Sequence, residues 1–276
     1  MVITLKKIIK KLIKNKNIQD KIRFVYNSIK SLNPHLIKEE ISFRKNGLPD
    51  KLPYPNSKLI FTVIAIPWVS EYFKSGKIIY DNIRTSLYKT KVELPQNSNI
   101  LDFGCGCGRL IRHFATENNY NLFGSDINNE LINWCKVNLT FGNFSTNNIL
   151  PPTNYENNFF DIIYARSVFT HLSEDYQKKW MNEIKRILKP NGVFYFTTHG
   201  KKTLKNLTSS EINFLNQKGI FEHNYFEEGD NKFSTYQTFE WTTQNLFDGF
   251  ELLYYEEGQN DIHLMQDVFI VKKTNK

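Results

Sequence analysis

The spacing of apolar residues changes character along this chain, and each change predicts a different kind of element. In residues 3–14, Leu5, Ile8, Ile9, Leu12 and Ile13 recur at helical spacing with lysines between them, which predicts a basic amphipathic helix. Prolines at 34, 49, 53 and 55 then break any long element before a helical stretch around Val69–Lys89. The apolar run Leu59–Val69 is too short to span a bilayer and is interrupted by Thr62 and Pro67, so it reads as buried core or as a lid lining. After Pro95 short β-like runs alternate with helical periods, the signature of a parallel α/β sheet. Strands are predicted at Asn99–Phe103, Asn121–Gly124, Phe141–Phe144, Phe160–Ala165 and Val193–Thr198, with helices at Arg109–Glu117, Asn129–Leu139 and Glu174–Leu188 between them. Ser173 is placed to cap the last helix, Glu174 and Asp175 favour its positive end, and Asn191-Gly192 turns the chain into the next strand. Residues 200–245 interrupt the alternation with a polar and aromatic insertion, and Phe250–Tyr255 and Gln266–Val271, joined by a loop, are predicted to pair antiparallel at the sheet edge. The expected organisation is a basic arm over 1–30, a cap or lid region over 31–95, and an α/β domain over 96–276 that carries the insertion 200–245.

Composition excludes some classes of protein. A chain of 276 residues, 40% hydrophobic and 23% charged, can bury a large core and is neither disordered throughout nor a multi-span membrane protein. The net charge of +8 resides in one place: residues 1–30 hold nine Lys/Arg against Asp20, and the remainder has 36 − 9 = 27 bases against 28 − 1 = 27 acids. A neutral body behind a basic arm argues against nucleic acid as partner and leaves the arm for an anionic membrane surface, for packing on the body or for a second subunit. Three cysteines, Cys105, Cys107 and Cys135, make no even disulfide framework, and Cys105 and Cys107 lack further Cys or His at zinc spacing, so no metal site is expected. With lysines interrupting any leader-like apolar stretch, the expectation is a cytoplasmic protein, with the inner face of the membrane one of the alternatives left for the arm.

Candidate chemistry begins at Asn99-Ile-Leu-Asp102-Phe-Gly104-Cys-Gly106-Cys-Gly108-Arg109. An apolar strand that runs into glycines and then a helix brings backbone close to a ligand, because glycine permits both the tight turn and the close approach. The dinucleotide fingerprint needs glycine three positions after Gly106, where Arg109 stands, so a nicotinamide cofactor is disfavoured. Downstream, Leu122-Phe-Gly124-Ser-Asp126 ends a strand with an acid suited to accept both hydroxyls of a ribose.

These segments resemble the class I S-adenosylmethionine-dependent methyltransferases, and the likeness continues in order through Phe160–Leu172 and Leu188-Lys-Pro190-Asn-Gly192. Asp102-Phe-Gly-Cys-Gly-Cys-Gly-Arg109, Ser167-Val-Phe-Thr-His171-Leu and Thr198-His199-Gly200 further resemble a bacterial subgroup of stand-alone members associated with surface-glycan pathways. The resemblance implies a Rossmann-like fold with a mostly parallel seven-stranded sheet, an antiparallel last strand, an N-terminal helical extension and an insertion after strand five. It implies S-adenosyl-L-methionine as cofactor. It places Asp102 at the methionine amino end with Gly104, Cys105 and Gly106 lining it, Asp126 on the ribose, Ile127 against adenine, Asn147 or Asn148 at the adenine edge, and Ser167 with Val168 beside the sulfonium.

The acceptor side is read from residue chemistry. A hydroxyl acceptor benefits from a base near neutral pH, and His171 and His199 follow the fourth and fifth strands, at the carboxyl edge where α/β sheets hold ligands. Pro151-Pro152 resembles part of the motif of amino-group methyltransferases but precedes the fourth strand, which disfavours methylation of exocyclic base nitrogens. Aromatics from Phe221 to Trp241, among them Tyr225, Phe226, Phe233, Tyr236 and Phe239, serve either lid packing or sugar stacking. The leading expectation is O-methylation of a small molecule or glycan. The alternatives are a protein or tRNA acceptor, and a non-catalytic module that keeps the ligand pocket.

Overall fold

The computed structural model describes residues 16–30, 34–117, 119–223, 228–229 and 232–274; the helix expected over 3–14, and Tyr225 and Phe226, lie outside them. The chain divides into two compact units, residues 1–75 and 76–276.

In the first unit α1 (Lys16–Lys30), α2 (Pro34–Asn46) and α3 (Ser57–Ile64) precede α4 (Val69–Lys89), which crosses the division. The prolines act as the sequence suggests: α2 begins on Pro34, and Asn56, after Pro55, caps α3 by accepting from the Leu59 N–H at 3.0 Å. The run expected as core or lid lining begins as α3, with Leu59 and Ile60 buried, and breaks at Ala65 in the left-handed conformation. Glu40, 5% exposed, keeps its burial tolerable by accepting from Arg44 Nε at 2.7 Å and from the Ser70 N–H at 2.8 Å.

The second unit is a seven-stranded sheet in the order β3-β2-β1-β4-β5-β9-β8, built from β1 (Ser98–Phe103), β2 (Tyr120–Asp126), β3 (Gly142–Thr146), β4 (Phe160–Ala165), β5 (Leu188–Thr198), β8 (Phe250–Glu256) and β9 (Asp267–Lys273). The first five are mutually parallel, and β9 runs antiparallel to both β5 and β8. Side chains alternate between two cores, as strand geometry requires: Ile163 and Ala165 of β4, Phe194 and Phe196 of β5 and Phe269 of β9 join one, while Ile162, Tyr164, Tyr195 and Ile270 join the other. Trp180, Met181, Ile184 and Ile187 of α7 (Glu174–Ile187) cover the first core. Residues of α4 beyond Gly76, α5 (Ile111–Ala115) and α6 (Asn129–Asn138) cover the second.

The insertion holds α8 (Ser209–Lys218), a separate antiparallel pair of β6 (Ile220–His223) and β7 (Ser234–Gln237), and α9 (Phe239–Leu246). No helix among the described residues is long and apolar enough to cross a membrane.

Candidate functional site

The strand order reverses between β1 and β4, so the crevice at their carboxyl ends is where an open α/β sheet holds a ligand. The loops after these two strands touch there. Gly104 has φ +81°, and a Cβ on it would come within 2.3 Å of Val168 Cγ2, so the glycine serves both the backbone conformation and the contact. The loop's own donors are already engaged: the N–H groups of Gly104 and Cys105 both reach Ser125 O, at 2.8 and 3.0 Å, and the Gly106 N–H reaches Asp126 Oδ2 at 2.9 Å. Asp126 Oδ1 accepts from the Asn128 N–H at 2.8 Å, which fixes the carboxylate at the tip of β2 with lone pairs remaining on both oxygens. Burial nevertheless raises its pKa, offset by those two N–H groups.

Acceptors left unpaired inside this region indicate what the crevice suits. Asp102, 1% exposed and paired in register with Gly124 and Tyr164, has no hydrogen-bond partner on Oδ2. Burial pushes its carboxyl up to about 7, against the pull of the Tyr164 hydroxyl and the Arg109 charge. Asn147, just past β3, likewise has a buried Oδ1 without a partner, while its Nδ2 donates to Asn148 O at 2.8 Å and the Asn148 side chain is exposed. A buried carboxylate, a carboxylate on a strand tip and an amide oxygen suit a ligand with a cationic end, a diol and an amino-bearing ring.

Ile127, 42% exposed, is met from the insertion: a Cβ on Gly229 would come within 2.8 Å of Ile127 Cδ1 and 2.7 Å of Ile149 Cδ1. Ile149 is held from the other side by Trp180, whose Nε1 donates to its carbonyl at 3.0 Å.

After β4, Ser167 takes φ +62°, a costly conformation for a residue with a side chain. It is held there by the Thr197 hydroxyl, which accepts its N–H at 2.9 Å, and by Gln266, whose Nε2 donates to Ser167 Oγ at 2.8 Å. Arg166 donates to the same Thr197 hydroxyl at 3.1 Å and to His263 O at 2.6 Å, and burial lowers its pKa to about 10. Thr197, Gln266 and Arg166 carry no motif of their own. Arg166 could have been noticed as a lone cation closing an apolar strand, but Gln266 arrives from the residue before β9, 99 positions on from Ser167.

His171 and His199 come together, with ring centres 6.4 Å apart and planes at 89°. One segment holds both: His171 Nδ1 lies 2.6 Å from Phe233 O, and His199 Nδ1 lies 3.2 Å from Thr235 O in β7. A carbonyl can only accept, so each Nδ1 bears the proton and each Nε2 carries the lone pair. His199 also stacks on Tyr236 at 4.9 Å, and burial and the neighbouring His171 lower its pKa to about 3. The Gly229 N–H donates to His171 O at 2.9 Å.

Beside Gly200 lies a cavity of about 710 Å³, lined among others by Leu215, Gln237, Trp241, Tyr255 and Asp267. Gln237 is 2% exposed; its Nε2 donates to the Thr242 hydroxyl, which itself donates to Thr238 O, so the amide orientation is fixed. That leaves Gln237 Oε1 buried without a partner.

A family model described as a methyltransferase domain matches residues 80–252. Phosphoethanolamine N-methyltransferase of Plasmodium falciparum is 28% identical over 130 residues, a match covering 46% of this chain and 48% of that protein, so the chain spans about half the length of this curated relative. Among solved structures, one described as an S-adenosylmethionine-dependent methyltransferase, from Methanosarcina mazei, aligns with a TM-score of 0.53 at 22% identity, over 66% of this chain and 95% of that one. A Galdieria sulphuraria protein described as a sarcosine dimethylglycine methyltransferase aligns with a TM-score of 0.53 at 15% identity, over 72% of this chain and 85% of that one.

Proposed function

From the premise that this chain belongs to the class I S-adenosylmethionine-dependent methyltransferases, we propose that it methylates an oxygen of a small, polar, hydroxyl-bearing molecule, a free sugar or glycan among them. The observation that carries this reading is the imidazole pair, with both Nδ1 atoms on carbonyls of one segment, so that Nε2 is the lone-pair nitrogen of each ring.

S-Adenosylmethionine, when bound, supplies a methyl group on a sulfonium, a good leaving group for direct displacement. The protein's own contribution is recognition, orientation and proton removal. Asp102 Oδ2 would receive the ammonium of the amino-acid end, Asp126 the ribose hydroxyls, and Asn147 Oδ1 the adenine amino group. Gly104, Cys105, Gly106 and Val168 would shape the floor, Ile127 would pack on the adenine, and Ser167, braced by Thr197 and Gln266, would stand beside the sulfonium. Positioning alone supplies a large share of the rate in such a displacement.

His171 is the base in this reading: its Nε2 would take the proton of the acceptor hydroxyl. His199, with a pKa near 3, is a poor proton acceptor at neutral pH and instead orients the acceptor as a neutral hydrogen-bond acceptor. The neighbouring cavity, with aromatic walls and the unpaired Gln237 Oε1, suits hydroxyl donors on the rest of the molecule.

An amine acceptor is the second reading, favoured by the likeness to phosphoethanolamine N-methyltransferase. Transfer of labelled methyl to a panel of sugars, polyols and phosphoethanolamine decides between them. A labelled ether supports the first reading, a labelled amine replaces it with the second, and label on neither class but on protein or tRNA sinks both.

A further inference from the structure

The N-terminal unit carries a helix whose more apolar face the described residues leave exposed. In α1, Phe24 packs on Phe61 with ring centres 4.9 Å apart, the Arg23 guanidinium lies 5.8 Å from the same ring centre, and Asn27 Nδ2 donates to Ala65 O at 2.8 Å. The side turned toward α3 is thus a mixture of aromatic, amide and cation. Ile22, Val25 and Ile29 lie on the opposite side at helical spacing and are 37%, 55% and 63% exposed. This reverses the usual arrangement of a surface helix, which buries its branched aliphatic stripe and exposes its polar one.

Charge selects what covers that face. Residues 1–30 carry nine Lys/Arg and one Asp, a net +8, whereas the rest of the chain is neutral. A second copy seated face to face would bring two such arms together, which mutual repulsion opposes. An anionic lipid surface meets both demands at once: the boundary between headgroups and acyl chains takes the aliphatic stripe, and lipid phosphates take the lysines. We propose that α1 is an interfacial helix that docks the enzyme on an anionic bilayer surface through Ile22, Val25 and Ile29. The inference is independent of the catalytic reading, because no residue of the crevice takes part.

The test uses the full chain and vesicle co-sedimentation, with vesicles of phosphatidylcholine alone or mixed with phosphatidylglycerol. The protein should sediment with the mixed vesicles and not with the neutral ones, and raised salt should weaken the binding. The combined substitution Ile22→Gln, Val25→Gln, Ile29→Gln should lower the partition coefficient at least tenfold while calorimetry shows unchanged affinity for S-adenosylmethionine, which reports intact folding. Indifference of the unsubstituted chain to phosphatidylglycerol overturns the proposal. So does equal vesicle binding by the substituted chain, which would assign attachment to the preceding lysines alone. A concentration-dependent dimer that the substitutions abolish, without vesicle binding, gives the face to a second copy and overturns it equally.

Discussion

At the scale of single residues, the site rests on a few side chains whose environments differ from those of an ordinary surface group. Asp126 has both oxygens engaged by backbone N–H groups and still has lone pairs to offer. Asp126→Ala should therefore weaken binding of S-adenosylmethionine and of its demethylated product at least tenfold in titration calorimetry, since a charge-assisted hydrogen bond contributes about 1.5–3 kcal/mol. Unchanged affinity would mean that the ribose is held elsewhere. The two histidines should separate kinetically. His171→Ala should lower turnover by about a hundredfold to ten-thousandfold, the effect of losing a general base, with little change in cofactor affinity. His199→Ala should act mainly on acceptor KM, and a large loss of kcat with unchanged KM would give it the base role instead. His199 also links stability to pH. Its folded pKa of about 3 lies below the ordinary 6.5, so the unfolded chain takes up the proton first; the contribution is present above about pH 6.5 and is lost as pH falls toward 3. Denaturant midpoints measured across that window should fall more steeply for the unsubstituted protein than for His199→Gln.

At the scale of elements, the contact between the loops after β1 and β4 is the most exacting. Gly104→Ala places a methyl group 2.3 Å from Val168 Cγ2 and puts a side chain at φ +81°. Removing the opposing methyl through Val168→Ala relieves only the first difficulty. The backbone cost of about 1–2 kcal/mol remains, so the double variant should stay less stable than Val168→Ala alone in thermal melts. If the double variant equals Val168→Ala, the backbone there is freer than its φ indicates. The same element scale shows what the amino-acid pattern discloses. Phe160–Ala165 was legible to the residue because every position is buried or nearly so, and Ser173 caps α7 as its chemistry implies, accepting from the Tyr176 N–H. The helix expected over Arg109–Glu117 shrinks to Ile111–Ala115, because the glycine loop continues as turns through Leu110. The turn expected at Leu188-Lys-Pro-Asn-Gly is drawn into β5 as a bulge: Leu188 pairs with Phe160 and Val193 already with Ile162, with Asn191 at φ +64°. The antiparallel pair of β6 and β7 left no signal, since strands of four residues are too short to show a period. The candidate site residues were legible one at a time from strand ends and glycines. Their assembly was not, because it depends on Phe233 and, in β7, Thr235 presenting carbonyls to the two imidazoles.

At the scale of the whole molecule, the crevice lies in residues 76–276 and the basic arm lies outside that unit. Deleting residues 1–30 should therefore leave cofactor affinity within about twofold by calorimetry, whereas a loss like that of Asp126→Ala would tie the arm to the pocket. Gly229 connects events that the chain otherwise keeps apart. It packs so near Ile127 and Ile149, on the nucleotide side of the proposed site, that a Cβ would not fit, and its N–H donates to the carbonyl of His171, on the proposed acceptor side. On the proposed reading, a ligand seated against Ile127 bears on the residue whose N–H holds the carbonyl of His171. Turnover should then have a fixed sequence of arrivals, donor before acceptor, with methylated product departing before S-adenosylhomocysteine. In initial-rate measurements S-adenosylhomocysteine should compete with the donor and be noncompetitive toward the acceptor, and a pattern of random arrival would show that Gly229 transmits nothing between the two sides.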